Sequence, residues 1–166
     1  NLFWLAKAEF PFRNPAWYVN QLDPEVYLSR EYAPLPQRLK GYVGYARAIP
    51  KIAADIRANM RTPLPKSYVE YGIRGFGGFA DFYRSDVPAV FAGVADPALR
   101  KEFADANNAA AEAMQALKDW LIAQRATANE FARTVWQWVR NRQVCRQKFR
   151  REYPLPPYTA DFCCVE

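Results

Sequence analysis

From Asp96-Pro97 to Leu121 the chain places Leu99, Phe103, Ala106, Ala110, Met114, Leu117 and Leu121 three or four residues apart. That interval follows the 3.6-residue turn, so these side chains form one stripe that must be covered by other elements. The alanines of the same stretch add high helix propensity. No run shows the sustained period-two alternation of a half-buried strand. The chain is therefore read as all-α, an irregular array of helices with proline-marked turns. Leu99, Phe103, Met114, Leu117 and Leu121 are predicted to share one buried face of a helix ending near Ala126. Phe131, Val135, Trp138, Cys145 and Phe149 predict a last helix, with Arg142 where an apolar residue would be expected. Pro154, Pro156 and Pro157 should stop it and leave a loose tail.

Prolines mark the other boundaries. Asn14-Pro15 and Asp23-Pro24 each set a side chain that can accept an orphan N–H before a proline suited to the first helical turn, so short helices are predicted there. Pro36 to Met60 reads as helical, with a kink or new start at Pro50, and Thr62-Pro63-Leu64-Pro65 reads as a loop. Pro65 to Arg84 is a further helix, rich in aromatic residues. Gly72, Gly75 and Gly78 recur in it every third residue and are read as a packing stripe. The alternative, a phosphate loop at Gly75-Phe76-Gly77-Gly78, lacks a preceding strand and the required glycine spacing.

Composition narrows the chemistry. With 166 residues, 51% hydrophobic and 16% aromatic, the chain can build one core and does not resemble a disordered segment. No uncharged apolar run approaches the roughly 18 residues of a membrane span. The sequence contains no histidine. A Ser-His-Asp triad, a Cys-His pair and an HExxH zinc helix are thereby excluded from this chain. It begins with Asn1, which fits an internal piece of a longer protein with any export signal upstream. The compartment, cytoplasm or cell envelope, is left open.

The net charge of +6 is uneven. Residues 1–130 hold 16 basic and 14 acidic residues, whereas 131–166 hold 7 and 3. The chain is accordingly divided into a helical body, 1–130, and a basic, cysteine- and proline-containing end, 131–166. Arg133, Arg140, Arg142, Arg146, Lys148, Arg150 and Arg151, with Trp136 and Trp138 among them, could bind nucleic acid through phosphates and stacking. A solvated helix face with inward tryptophans explains them as well, and nucleic acid is not the expected partner. Cys163-Cys164-Val165-Glu166 has the outline of a prenylation box, but Glu166 is the wrong last residue. Cys145, Cys163 and Cys164 lack the CxxC geometry of a closed zinc site. Glu70 and Arg74, four apart, are predicted to pair on a helix surface. Glu25 with Glu31 and Asp81 with Asp86 are formal acid–base candidates that spacing does not favour. No catalytic, cofactor-binding or metal-binding residue is assigned.

Several motifs together resemble a bacterial family known as domain of unknown function 885. They are Asn14-Pro15 with Trp17-Tyr18, Tyr27-Leu28, Arg30-Glu31-Tyr32, Arg38-Leu39 and the Ala48-Ile49-Pro50 break. Ala58-Asn59, Pro63, Tyr68-Val69-Glu70 and the alanine-rich helix through Trp120-Leu121 complete the set. The resemblance covers Asn14 to about Asn129 and fades after Glu130. It implies a helical protein similar to HExxH zinc metallopeptidases, whose zinc motif and peptide substrate belong to a complete member. None of those ligands carries over, because this chain has no histidine. The resemblance implies a non-catalytic scaffold here, with the remainder of the parent protein as its partner. The alternative is a small basic module that contacts nucleic acid or an acidic partner through 133–151.

Overall fold

The computed structural model describes residues 9–140, 146–155 and 158–165. It divides into two compact units, Asn1–Gln124 and Arg125–Glu166. Three short helices open the first unit: α1 (Phe10–Arg13), α2 (Ala16–Val19) and α3 (Glu25–Leu28). Long helices follow: α4 (Leu35–Asn59), α5 (Lys66–Val90) and α6 (Pro97–Val139), of which the first unit includes the part up to Gln124. The described chain is predominantly helical, as the apolar spacing requires.

The proline signals act through identifiable bonds. Asn14 Oδ1 accepts the Ala16 N–H at 2.9 Å, and Asp23 Oδ1 accepts the Glu25 N–H at 2.8 Å. Asp96 Oδ1 accepts the N–H groups of Ala98 and Leu99 at 2.9 and 3.2 Å and so caps α6. Pro50 lies inside α4, which runs on without a new start. Its missing N–H frees the carbonyl of Ala46, while Ile49 and Ala53 on either side stay buried, so packing outweighs the lost bond.

Helices α4, α5 and α6 run up, down and up. Tyr42 meets Phe103 near the start of α6, and the Arg57 guanidinium sits over Trp120 further along it, so α4 and α6 run the same way. Gly72 lies beside Leu121 and Phe91 beside Phe103, so α5 runs the other way. Leu39, Ile49 and Ile56 of α4, Val69, Phe76 and Val87 of α5, and Met114 and Leu121 of α6 are almost fully buried. Of the five predicted positions, Leu99, Met114, Leu117 and Leu121 are buried, and Phe103 packs half-buried against the core.

A polar knot crosses this apolar core. Tyr42 donates its hydroxyl to Asn107 Oδ1 at 2.6 Å, and Asn107 Nδ2 donates to the Tyr83 carbonyl at 2.6 Å. The Tyr45 and Tyr83 hydroxyls share a bond of 2.8 Å. One side chain of α6 thus joins α4 to α5. Replacing Asn107 by alanine should cost about 1–3 kcal/mol, because it leaves the buried Tyr42 hydroxyl without its acceptor. Tyr42→Phe should cost a similar amount, and the two losses should combine to less than their sum in denaturant titrations. Strict additivity would show that the bond contributes nothing.

The second unit corrects three expectations. Helix α6 passes Ala126 and continues to Val139, because Thr127 to Glu130 contain neither proline nor glycine to stop it. No last helix reaches Phe149. Instead β1 (Phe149–Leu155) pairs antiparallel with β2 (Tyr158–Cys164), and Phe149 stands opposite Cys164. The end read as a loose tail is therefore a hairpin. Its pairing is non-local and leaves no mark in helical periodicity, and a two-stranded ribbon, all edge, tolerates Pro154.

Candidate groove between α3 and α5

The first unit holds an apolar groove of about 620 Å3. One wall is Val19 with the turn and short helix Asp23, Pro24, Glu25, Leu28 and Ser29. The other is one face of α5: Gly75, Gly78, Phe79, Phe82 and Val90. A second hollow of about 400 Å3 shares Val19 and Gly75 and adds Tyr71 and Arg74. Such size and apolar lining suit a binding cleft.

The glycines set the distance between the walls. A Cβ on Gly72 would lie 2.8 Å from both Pro15 Cβ and Leu121 Cδ1, and one on Gly75 would lie 2.7 Å from a Val19 methyl. These two therefore form the packing stripe read from the sequence. Gly78 does not join it: nothing lies within 4 Å of its Cβ position, and it opens into the groove. No phosphate loop is formed, since all three glycines lie inside a helix.

Arg38 holds the far end of the wall. Its buried guanidinium donates from Nη1 to the carbonyls of Leu28 at 3.0 Å and Arg30 at 3.3 Å, with Tyr27 at the 3.5 Å limit. A cation placed where α3 ends suits the exposed carbonyls of a helix terminus. No described carboxylate is within ion-pair distance of Arg38. Its Nε is buried with no hydrogen-bond partner among the described residues. The sequence reading used Arg38 only as a family mark.

Two carboxylates stand at the groove, and both serve local structure. Asp23 caps α3, and Glu25 Oε1 accepts the Ser29 hydroxyl at 3.3 Å. Beneath them, burial pushes the Tyr45 phenol up to about 12; the Tyr83 hydroxyl opposes the rise, and Asp23 and Tyr27 add to it. Burial, with Tyr45 nearby, likewise raises Tyr42 and Tyr83. These tyrosines are protonated hydrogen-bonding groups at neutral pH.

The remaining candidates are dispersed. Glu70 and Arg74 form no ion pair, and Arg74 instead lines the smaller hollow. Asp81 turns to Arg84 at 3.8 Å and Glu25 to Ser29, so no bond joins either candidate acid pair. Arg140 is exposed just past the end of α6, Arg150 is on β1, and Arg151 lies over the Trp136 ring at 5.8 Å. The basic residues thus do not share one helix face. Cys163 and Cys164 lie on β2 without a disulfide. The Arg133 side chain, Arg142, Cys145 and Glu166 fall outside the described residues. Among the described residues, no three His, Cys, Asp or Glu side chains gather as metal ligands, and no helix is long and apolar enough to cross a membrane.

Residues 4–150 match the family described as bacterial protein of unknown function, DUF885. The chain belongs to the DUF885 family. The match extends the resemblance in both directions, over α1 and past Glu130 into the basic segment, so the change of composition at Glu130 is not where the family likeness ends. The DUF885 description carries no activity, and the zinc-peptidase likeness expected from the sequence gains no support from it. No curated protein and no solved structure matches the chain.

Proposed function

We propose that this DUF885 chain is a non-catalytic helical scaffold of a larger protein, with the α3–α5 groove forming one wall of a cleft. In this reading residues 1–130 are the body and 131–166 an appended basic end. The observation that supports it is the groove itself: an apolar surface whose two carboxylates are occupied by a backbone N–H and a hydroxyl. Such a surface holds an apolar ligand or segment and offers no poised acid–base pair. Histidine-dependent zinc chemistry would have to come from residues outside the chain, which has no histidine.

The purified chain should leave a panel of peptides uncleaved, with and without added zinc, when products are followed by mass spectrometry. Chelator-sensitive cleavage that disappears on Asp23→Asn or Glu25→Gln would overturn the scaffold reading.

A further inference from the structure

We infer that the open face of α5 is a self-association surface, on which a second copy of this chain lays its own α5 antiparallel about a two-fold axis. This goes beyond the scaffold reading and does not depend on it. Helix α5 carries a buried apolar face and an open mixed one, where Glu70, Arg74 and Asp86 stand among Tyr71, Phe82 and Val90. One, with Val69, Phe76, Ala80, Tyr83 and Val87, is buried in the core. The other is open, and Tyr71 and Val90, 44% and 38% exposed, stand towards its two ends.

The open face contains a ridge of residues four apart: Arg74, Gly78, Phe82, Asp86 and Val90. Side chains at this spacing line up along a helix. The stretch of the ridge from Arg74 to Asp86 is self-complementary when reversed. With the axis beside residue 80, Gly78 of one copy faces Phe82 of the other, and Arg74 faces Asp86. The space beside Gly78 is empty in one copy, and Phe82 is a half-buried ring at the same groove. Arg74 and Asp86 are exposed, and neither makes an ion pair among the described residues. In the pair each would gain a partner, twice over by symmetry.

The groove wall supports the same orientation. Asp23 and Glu25 share the cavity with Phe82 and Val90, whereas Arg74 lies at the other hollow with Tyr71. A reversed copy therefore brings its Arg74 to the acidic end. A parallel copy would set Arg74 against Arg74 and acids against acids. Antiparallel helix dipoles favour the same arrangement.

The test is the mass of the full 166-residue chain in solution, by light scattering and sedimentation, with circular dichroism to check that each variant folds. The wild type should be a dimer. Arg74→Asp and Asp86→Arg should each weaken it by at least about tenfold, and the double exchange R74D/D86R should restore it. Gly78→Leu, which fills the notch where the structure leaves room, should give folded monomers. A wild type that stays monomeric up to about 100 μM overturns the proposal and leaves the groove to another occupant. A dimer insensitive to both charge reversals and to Gly78→Leu overturns it equally. So does a double exchange that fails to restore what the single reversals removed.

Discussion

Gly72→Leu should lower the stability of the first unit by about 3 kcal/mol or more. Even a Cβ at this position would meet the Pro15 ring and Leu121 at 2.8 Å, closer than carbon atoms pack. Leu121 can rotate, but the proline ring has no rotamer to offer. The helical preference of leucine over glycine returns at most about 1 kcal/mol, so overpacking decides the sign. Gly75→Leu should behave alike, because both methyls of Val19 approach within 2.8 Å of its Cβ position. Gly78→Ala is the counter-case and should raise stability by up to about 1 kcal/mol, with no neighbour to displace. Thermal and denaturant unfolding of the three variants checks the pattern. A Gly72→Leu variant as stable as the wild type would show that α2 does not rest on α5 as described.

The chain should also lose its fold sharply between about pH 10 and pH 12. Tyr42, Tyr45 and Tyr83 are held protonated above the ordinary phenol value of 10, mainly by burial, and Tyr45 is raised to about 12. A group whose folded value is raised stabilises fully below its unfolded value, and that stability is lost as pH climbs towards the folded value. Here the loss starts near pH 10, where the unfolded phenols ionise and the folded ones do not. Each such tyrosine contributes a slope of about 1.4 kcal/mol per pH unit, and three acting together contribute about 4. Against a total stability of about 5–15 kcal/mol, two pH units remove most or all of it. Melting temperatures from pH 8 to 11.5 should stay level and then fall steeply. Tyr45→Phe should reduce the slope by about a third. A level profile to pH 11.5 would contradict the buried placement of these phenols.

How far the sequence alone carried the fold depends on the range of the interactions concerned. The α6 stripe from Leu99 to Leu121 and the starts at Asn14, Asp23 and Asp96 are local: periodicity and capping act within one or two turns, and they were legible. The family was legible too, from the same helix starts. The continuation of α6 past Ala126 was not legible from apolar spacing, which falls silent over Thr127 to Glu130, although no residue there breaks a helix. The β1–β2 hairpin was missed because cross-strand pairing lies outside what helical spacing reports.

The groove was only half legible. The glycine stripe on α5 was read correctly as a packing device at Gly72 and Gly75. Which glycine faced a neighbour and which faced open space depended on where α2 docks. Arg38 and Asn107 gave no pattern at all. Each is one polar residue among several on its helix, and what sets it apart is its partners on other elements: Leu28 and Arg30 for the first, Tyr42 and Tyr83 for the second.

The docking of α2 on α5 also sets a timetable for biosynthesis. Pro15 and Val19 rest on Gly72 and Gly75, which the ribosome adds 57 and 56 residues later. At about 5–20 residues per second, the opening segment is without its seat for about 3–11 s. Helices α1, α2 and α3 are four residues long with no buried residue of their own, too short to persist alone. Until α5 emerges, Phe10, Trp17, Tyr18 and Tyr27 are an aromatic leader on the nascent chain, open to chaperones. Truncation before residue 72 should turn that interval into a lasting state.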